Sequence, residues 1–146
     1  MTEQIAPAST DTNAVVVQNF LHALRDKDLD AAGDLLDDAL LYENVGYSRL
    51  RGARKTMKIF AGLQRPSFGF DVRFHSIAVD GSTVHTERTD ALIVGPVRNN
   101  FWVCGVFEVR DGRITVWRDY IDIWDMTKGL VRGLAAVAVP SLQRKF

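Results

Sequence analysis

The sequence predicts an α+β fold, a curved and mostly antiparallel sheet packed against three or four helices. Helical periodicity of apolar residues is concentrated before about residue 63, and long strand-like stretches dominate from residue 70 onward. Turn-forming pairs at Asp80-Gly81, Gly95-Pro96 and Asp111-Gly112 punctuate those stretches and join them most simply as an antiparallel meander. With 146 residues, 47% hydrophobic and 25% charged, the chain is long enough for one core and short for two.

Residues 1–10 are small and polar, with Pro7, and are expected to form a flexible arm, leaving residues 11–146 as a single domain. After a cap at Thr12 or Asn13, Val15, Val16, Phe20, Leu21 and Leu24 make a helical stripe that should end near residues 26–28. A second helix is expected to carry Leu29, Ala32, Leu35 and Leu36 on its apolar side. Two helices so closely joined form a hairpin that needs another apolar surface to cover. Leu40 to Val45 reads as a short strand, Gly46 and Gly52 bracket a turn, and residues 53–63 read as a third helix with Met57 and Phe60 inward. Strands are then expected at about 70–79, 83–94, 99–109 and 113–124. Residues 126–139 read as partly helical, weakened by Gly129 and Gly133. The apolar run from Leu134 to Pro140 is too short to span a bilayer and is expected to close a pocket or meet another subunit.

Eighteen basic and eighteen acidic side chains cancel, so no overall field draws the chain to nucleic acid or anionic lipid. Cys104 is the only cysteine and reads as core packing, which excludes an intrachain disulfide or a multi-cysteine metal site. The first residues lack the basic and apolar regions of a secretory signal, and no apolar run suggests stable membrane insertion, so a cytoplasmic location is expected. There is no HExxH, and His22, His75 and His85 show no ligand spacing. Gly129 and Gly133 lack the strand-turn-helix setting of a nucleotide loop, so neither a metal nor a cofactor is expected.

Chemistry enters through charged residues on apolar strands. Side chains alternate faces, so Val84, Thr86, Arg88, Asp90, Leu92 and Val94 share one face, as do Thr115, Trp117, Asp119, Ile121 and Ile123 on the last strand. Burying a lone carboxylate among such neighbours costs roughly several kcal/mol or forces protonation. Arg88, with a five-donor fork, can serve both Asp90 and Asp119. Tyr42 and Asn44 stand two positions apart beside Leu40 and can together hold a small polar molecule such as water. Spacing alone leaves a second arrangement open, in which Arg88–Asp90 and Arg118–Asp119 are solvent-facing pairs and Tyr42 and Asn44 are structural.

With these residues assembled, the chain resembles the limonene-1,2-epoxide hydrolase family, within the cone-shaped cystatin-like fold shared by nuclear transport factor 2 and ketosteroid isomerases. The resemblance covers roughly residues 12–133 and rests on Leu41-Tyr42-Glu43-Asn44, Thr86-Glu87-Arg88-Thr89-Asp90 and Val116-Trp117-Arg118-Asp119-Tyr120, in that order. It implies that Tyr42 and Asn44 position an attacking water, that Asp119 is the general base, that Asp90 is the general acid, and that Arg88 bridges the two carboxyl groups. It also implies a homodimer.

Epoxide opening suits such a set, because the alkoxide is a poor leaving group and gains from protonation while water attacks carbon. A covalent route commonly needs a histidine to hydrolyse an ester intermediate, and none aligns with these residues. Direct attack by water to give a vicinal diol is therefore expected. The pocket walls are expected from Val84, Leu92, Phe107, Trp117 and Ile121 with Leu24 and Leu36, suiting a small apolar lipid-, terpene- or sterol-like epoxide. An isomerase or cyclase on the same fold, or a non-catalytic ligand-binding domain, remains the alternative.

Overall fold

Helix α1 (Thr12–Arg25) is capped by Asp11, one residue before the first expected cap position, and the Asp11 side chain accepts a hydrogen bond from Asn13 N at 2.9 Å. This computed structural model describes residues 11–146, and the expected arm over residues 1–10 lies outside the described residues. Ala14, Val17, Phe20, Leu21 and Leu24 recur at helical spacing and are fully buried, so α1 lays one stripe on the sheet. Helix α2 (Leu29–Asp34) follows a cap by Asp28 and is shorter than its apolar pattern suggests. Leu36 instead opens strand β1 (Leu36–Asn44), pairing with Ile114, while Leu35 O accepts from Ile114 N at 2.8 Å. Sheet pairing wins there over a helical stripe already weakened by Gly33 and Asp34.

The region between Gly46 and Gly52 holds more than a turn, since β2 (Ser48–Arg51) folds back on β1 with Asn44 opposite Ser48. Helix α3 (Ala53–Phe60) runs into a 3-10 turn over Ala61–Gln64, and Met57 and Phe60 pack against the core. Four long strands follow: β3 (Phe68–Asp80), β4 (Thr83–Val94), β5 (Val97–Arg110) and β6 (Arg113–Ile121). They form the expected antiparallel meander, and at the last hairpin Asp111 (φ 51°) and Gly112 (φ 77°) both adopt the left-handed backbone that a two-residue turn requires. The curved six-stranded sheet has the order β2-β1-β6-β5-β4-β3, and β1 runs parallel to β6, making the sheet mixed.

Between α1 and the sheet lies an aromatic stack centred on Trp117. Phe20 meets that indole edge-on at 5.0 Å between ring centroids, and Phe60 and Phe107 stack on it at 5.4 and 6.2 Å. Leu36, Val84 and Phe107, expected to line a pocket, belong to this closed core instead.

The last strand stops at Ile121, short of the expected residue 124, because Asp122 caps a continuous helix, α4 (Ile123–Ala138). Its side chain accepts from Trp124 N at 2.8 Å and Asp125 N at 3.2 Å. Before Val103, β5 has no partner from β6, and α4 runs along that open edge. Asp125 accepts from Trp102 N at 3.0 Å, and Gly129 and Gly133 bring the helix down onto the backbone of Arg98 and Asn100. The glycines that weaken the helix in isolation are what let it seat. The run from Leu134 to Pro140 does not close the pocket: Leu134, Val137 and Val139 are exposed, as are Trp124 and Val131. Among the described residues, no helix is long and apolar enough to cross a membrane.

Candidate active site

Strand register brings the charged residues together. Thr86 pairs with Gly105, Gly105 with Asp119, and Asp119 with Asn44, so one row crosses β4, β5, β6 and β1 on the core-facing side of the sheet. Tyr42 sits beside Trp117 in the neighbouring row, with ring centroids 4.2 Å apart. The parallel pairing of β1 with β6 is thus what places Tyr42 and Asn44 next to Asp119.

Arg88 is 0% exposed and reaches across this row at Gly105. Its Nε donates to Asp90 Oδ1 at 2.8 Å, Nη2 donates to Asp119 Oδ1 at 2.8 Å, and Nη1 donates to Thr86 Oγ1 at 3.0 Å. Asp90 and Asp119 are 5% and 4% exposed, so neither pair is the solvent-facing alternative that spacing left open. Arg118 points the other way and pairs with Glu43 at 2.9 Å.

One guanidinium facing two buried carboxyl groups can neutralise only one of them. Burial, reinforced by the charge of Asp119, raises Asp90 from an ordinary value of 3.8 to about 6, against the opposing pull of Arg88. Burial by itself would make Arg88 easier to deprotonate, but the charges of Asp119 and Asp90 outweigh it and hold the cation firmly. Burial and then the Asp119 charge push the Tyr42 phenol up to about 12, so it stays protonated at neutral pH. Asn44 Nδ2 donates to Tyr42 Oη at 3.1 Å and to Ser48 Oγ at 3.3 Å, which leaves the amide oxygen for another partner.

Tyr42, Asn44, Asp90 and Asp119 line one cavity of about 500 Å³, with Arg88 behind its floor. Leu24, Leu92, Trp117 and Ile121 contribute walls as expected, and Phe60, Phe70, Phe101 and Met126, which were not among the expected wall residues, do so as well. The polar lining residues Tyr42, Asn44, Ser48, Asp90 and Asp119 are linked to one another by strand pairing or hydrogen bonds, directly or through Arg88, and most of the remaining lining is aliphatic and aromatic. Among the described residues, no group of three or more His, Cys, Asp or Glu side chains is arranged to hold a metal. Two members of the neighbourhood were missed in the sequence. Gly105 carried a signal, since an isolated glycine inside a strand marks close approach by another group. Ser48 carried none, because its strand was not foreseen.

Comparison with known proteins agrees on one family. Residues 11–132 match the limonene-1,2-epoxide hydrolase catalytic domain. Epoxide hydrolase EphG of Mycobacterium tuberculosis is 58% identical over 127 residues, which span 87% of this chain and 85% of that protein. The solved structure of an M. tuberculosis LEH-like epoxide hydrolase superposes with a TM-score of 0.88 at 54% identity, covering 92% of this chain and 96% of that one. A putative SnoaL-like polyketide cyclase from Shewanella putrefaciens shares the fold at TM-score 0.74 and 13% identity, over 84% of this chain and 88% of its own.

Proposed function

Since the chain belongs to the limonene-1,2-epoxide hydrolase family and is an epoxide hydrolase, we propose that it adds water to an apolar epoxide in one general acid/base step. The observation that carries this reading is the single buried cation shared by two carboxyl groups that line a mostly apolar cavity. Asp119, paired with Arg88, takes the role of base, and Asp90, held toward its neutral form, takes the role of acid.

Water seated between Asp119, Asn44 and Tyr42 donates one proton to the Asp119 carboxylate and the other hydrogen bond to Asn44 Oδ1. It accepts from the Tyr42 phenol, which leaves a lone pair for carbon. As the C–O bond of the oxirane breaks, Asp90 transfers its proton to the departing oxygen, and the product is a vicinal diol. Turnover leaves the proton on Asp119 instead of Asp90, and exchange with water in the cavity restores the starting state. Arg88 holds both carboxyl groups in place throughout.

The substrate class proposed is a small apolar epoxide of lipid, terpene or sterol type. A 500 Å³ cavity lies in the range of small-molecule sites, and its lining is mostly aliphatic and aromatic. A homodimer belongs to the same reading, because Trp124, Val131 and Leu134 leave apolar surface on the outer side of α4. Elution at monomer mass at micromolar concentration would count against it. The same reading places the protein in the cytoplasm, where a chain with one cysteine needs no disulfide.

Single-turnover reaction in oxygen-18 water tests the mechanism. The label is expected in the diol at the first turnover. Label appearing first in the Asp90 or Asp119 carboxyl group would replace direct attack with a covalent route.

A further inference from the structure

β5 separates the strand that carries Arg88 from the strand that carries Asp119, so the guanidinium must cross β5 to reach its second carboxylate. It crosses at Gly105. A Cβ placed there would overlap Arg88 Nη1 and stand 2.8 Å from Thr86 Oγ1 and 3.0 Å from Asp119 Oδ1. Gly105 is not among the residues with positive φ, so its backbone conformation does not call for glycine. What the position requires is the absence of a side chain.

Thr86 completes the arrangement. Contacts to Asp90 and Asp119 alone would leave the guanidinium free to tilt about the line joining them. The third contact, from Nη1 to Thr86 Oγ1, removes that freedom, and the Thr86 hydroxyl is itself directed by donating to Gly105 O at 3.4 Å. The charged and titratable groups facing Arg88 are Asp90 from its own strand, Asp119 from β6 and Tyr42 from β1, while β5 contributes the Phe107 ring at 5.8 Å. Thr86 is therefore an uncharged anchor among groups that react.

We propose that Gly105 and Thr86 are positioning residues of the reaction, the glycine as the opening through which Arg88 reaches Asp119 and the threonine as the anchor that fixes its plane. This rests on the roles given above to Arg88, Asp90 and Asp119. The test compares Thr86→Val, Thr86→Ser and Gly105→Ala with the unaltered protein in steady-state kinetics on one uncharged epoxide across pH, beside urea denaturation. Thr86→Val keeps the shape and removes the acceptor. It is expected to lower kcat by ~10- to 100-fold, the loss associated with a buried charged donor left unpaired, with KM within about twofold. It should also displace the alkaline limb of the pH profile by about half a unit or more. Thr86→Ser restores the acceptor and should restore both readouts, and Gly105→Ala should be impaired at least as much as Thr86→Val.

A Thr86→Val enzyme with unaltered kcat and pH profile would overturn the inference. So would a Thr86→Ser enzyme as impaired as Thr86→Val, or a loss of rate equal to the unfolded fraction at the assay temperature. Should either Gly105→Ala or Thr86→Val fail to fold, the other decides. Asp90→Asn and Asp119→Asn are assayed in parallel: if these retain turnover, the acid/base reading itself fails; if they lose it while Thr86→Val does not, only the positioning role fails.

Discussion

Replacing Asp90 with asparagine isolates the energetic consequence of burying two carboxyl groups against one cation. The Asp90→Asn side chain keeps the shape and, through its amide oxygen, the acceptor for Arg88 Nε, but it cannot ionise. In the unaltered protein Asp90 titrates at about 6 instead of 3.8. The folded state therefore binds this proton more tightly than the unfolded chain does, and the associated stability is fully present below about pH 4. It is lost as pH rises through about 6. At ~1.4 kcal/mol per pH unit, a displacement of about two units amounts to ~3 kcal/mol. Asp90 is 5% exposed, so solvent screening takes little from that figure. Urea denaturation of both proteins at intervals from pH 4 to 8 gives the difference in unfolding free energy. Relative to Asp90→Asn, the unaltered protein should lose about 3 kcal/mol across that window, on the order of 10 °C in Tm for a chain of this size. A flat difference would refute the reasoning. A difference of opposite sign would mean that pairing with Arg88 outweighs burial and Asp119 together.

Three further outcomes follow from the same geometry. For an uncharged epoxide, kcat/KM should decline above about pH 6 as Asp90 loses the proton it donates, measured by initial rates in constant-ionic-strength buffers, and a rate still climbing at pH 9 would remove Asp90 as the acid. Tyr42→Phe takes a donor from the water site and an acceptor from Asn44, and should lower kcat by ~10- to 100-fold with the urea midpoint little changed. Gly133→Ala, which in an open helix would add ~1 kcal/mol, should instead destabilise by ~1 to 3 kcal/mol, because the new methyl overlaps Arg98 O; chemical denaturation reads the sign directly.

The contrast between Arg88 and Ser48 shows what was legible in the sequence. Alternation along one strand was enough to put Arg88, Asp90 and apolar residues on one face, and burial chemistry then demanded a partner for the second carboxylate. The three meander turns were equally readable, because Gly95-Pro96 and Asp111-Gly112 have local conformational preferences that need no tertiary context. Register was not readable. Nothing local says that β1 pairs parallel with β6, yet that pairing alone brings Asn44 beside Asp119 and recruits Leu36 from a helix into a strand. Leu36, Val84 and Phe107 were assigned to the pocket for the same reason: a shared face says which residues turn inward, not which of them stop at the core and which reach a cavity. Gly129 and Gly133 weaken the helical reading of residues 126–139 because propensity describes a helix alone, whereas here it lies against a strand edge.

The contact from Arg88 to Asp119 joins two strands that are not neighbours, passing over a third. Hydrogen bonds within a sheet act between adjacent strands, so β6, with β1 and β2 beyond it, could in principle part from β5 and leave the β5-β4-β3 ladder intact. Here its departure would strand a buried cation facing one carboxyl group and would expose the Trp117 stack at the same time. Opening between β5 and β6 is therefore coupled to β4 on the far side of β5, and slow amide exchange should extend across β4, β5 and β6 as one cooperative block. The residues assigned to proton transfer are also those that make the sheet open all at once or not at all.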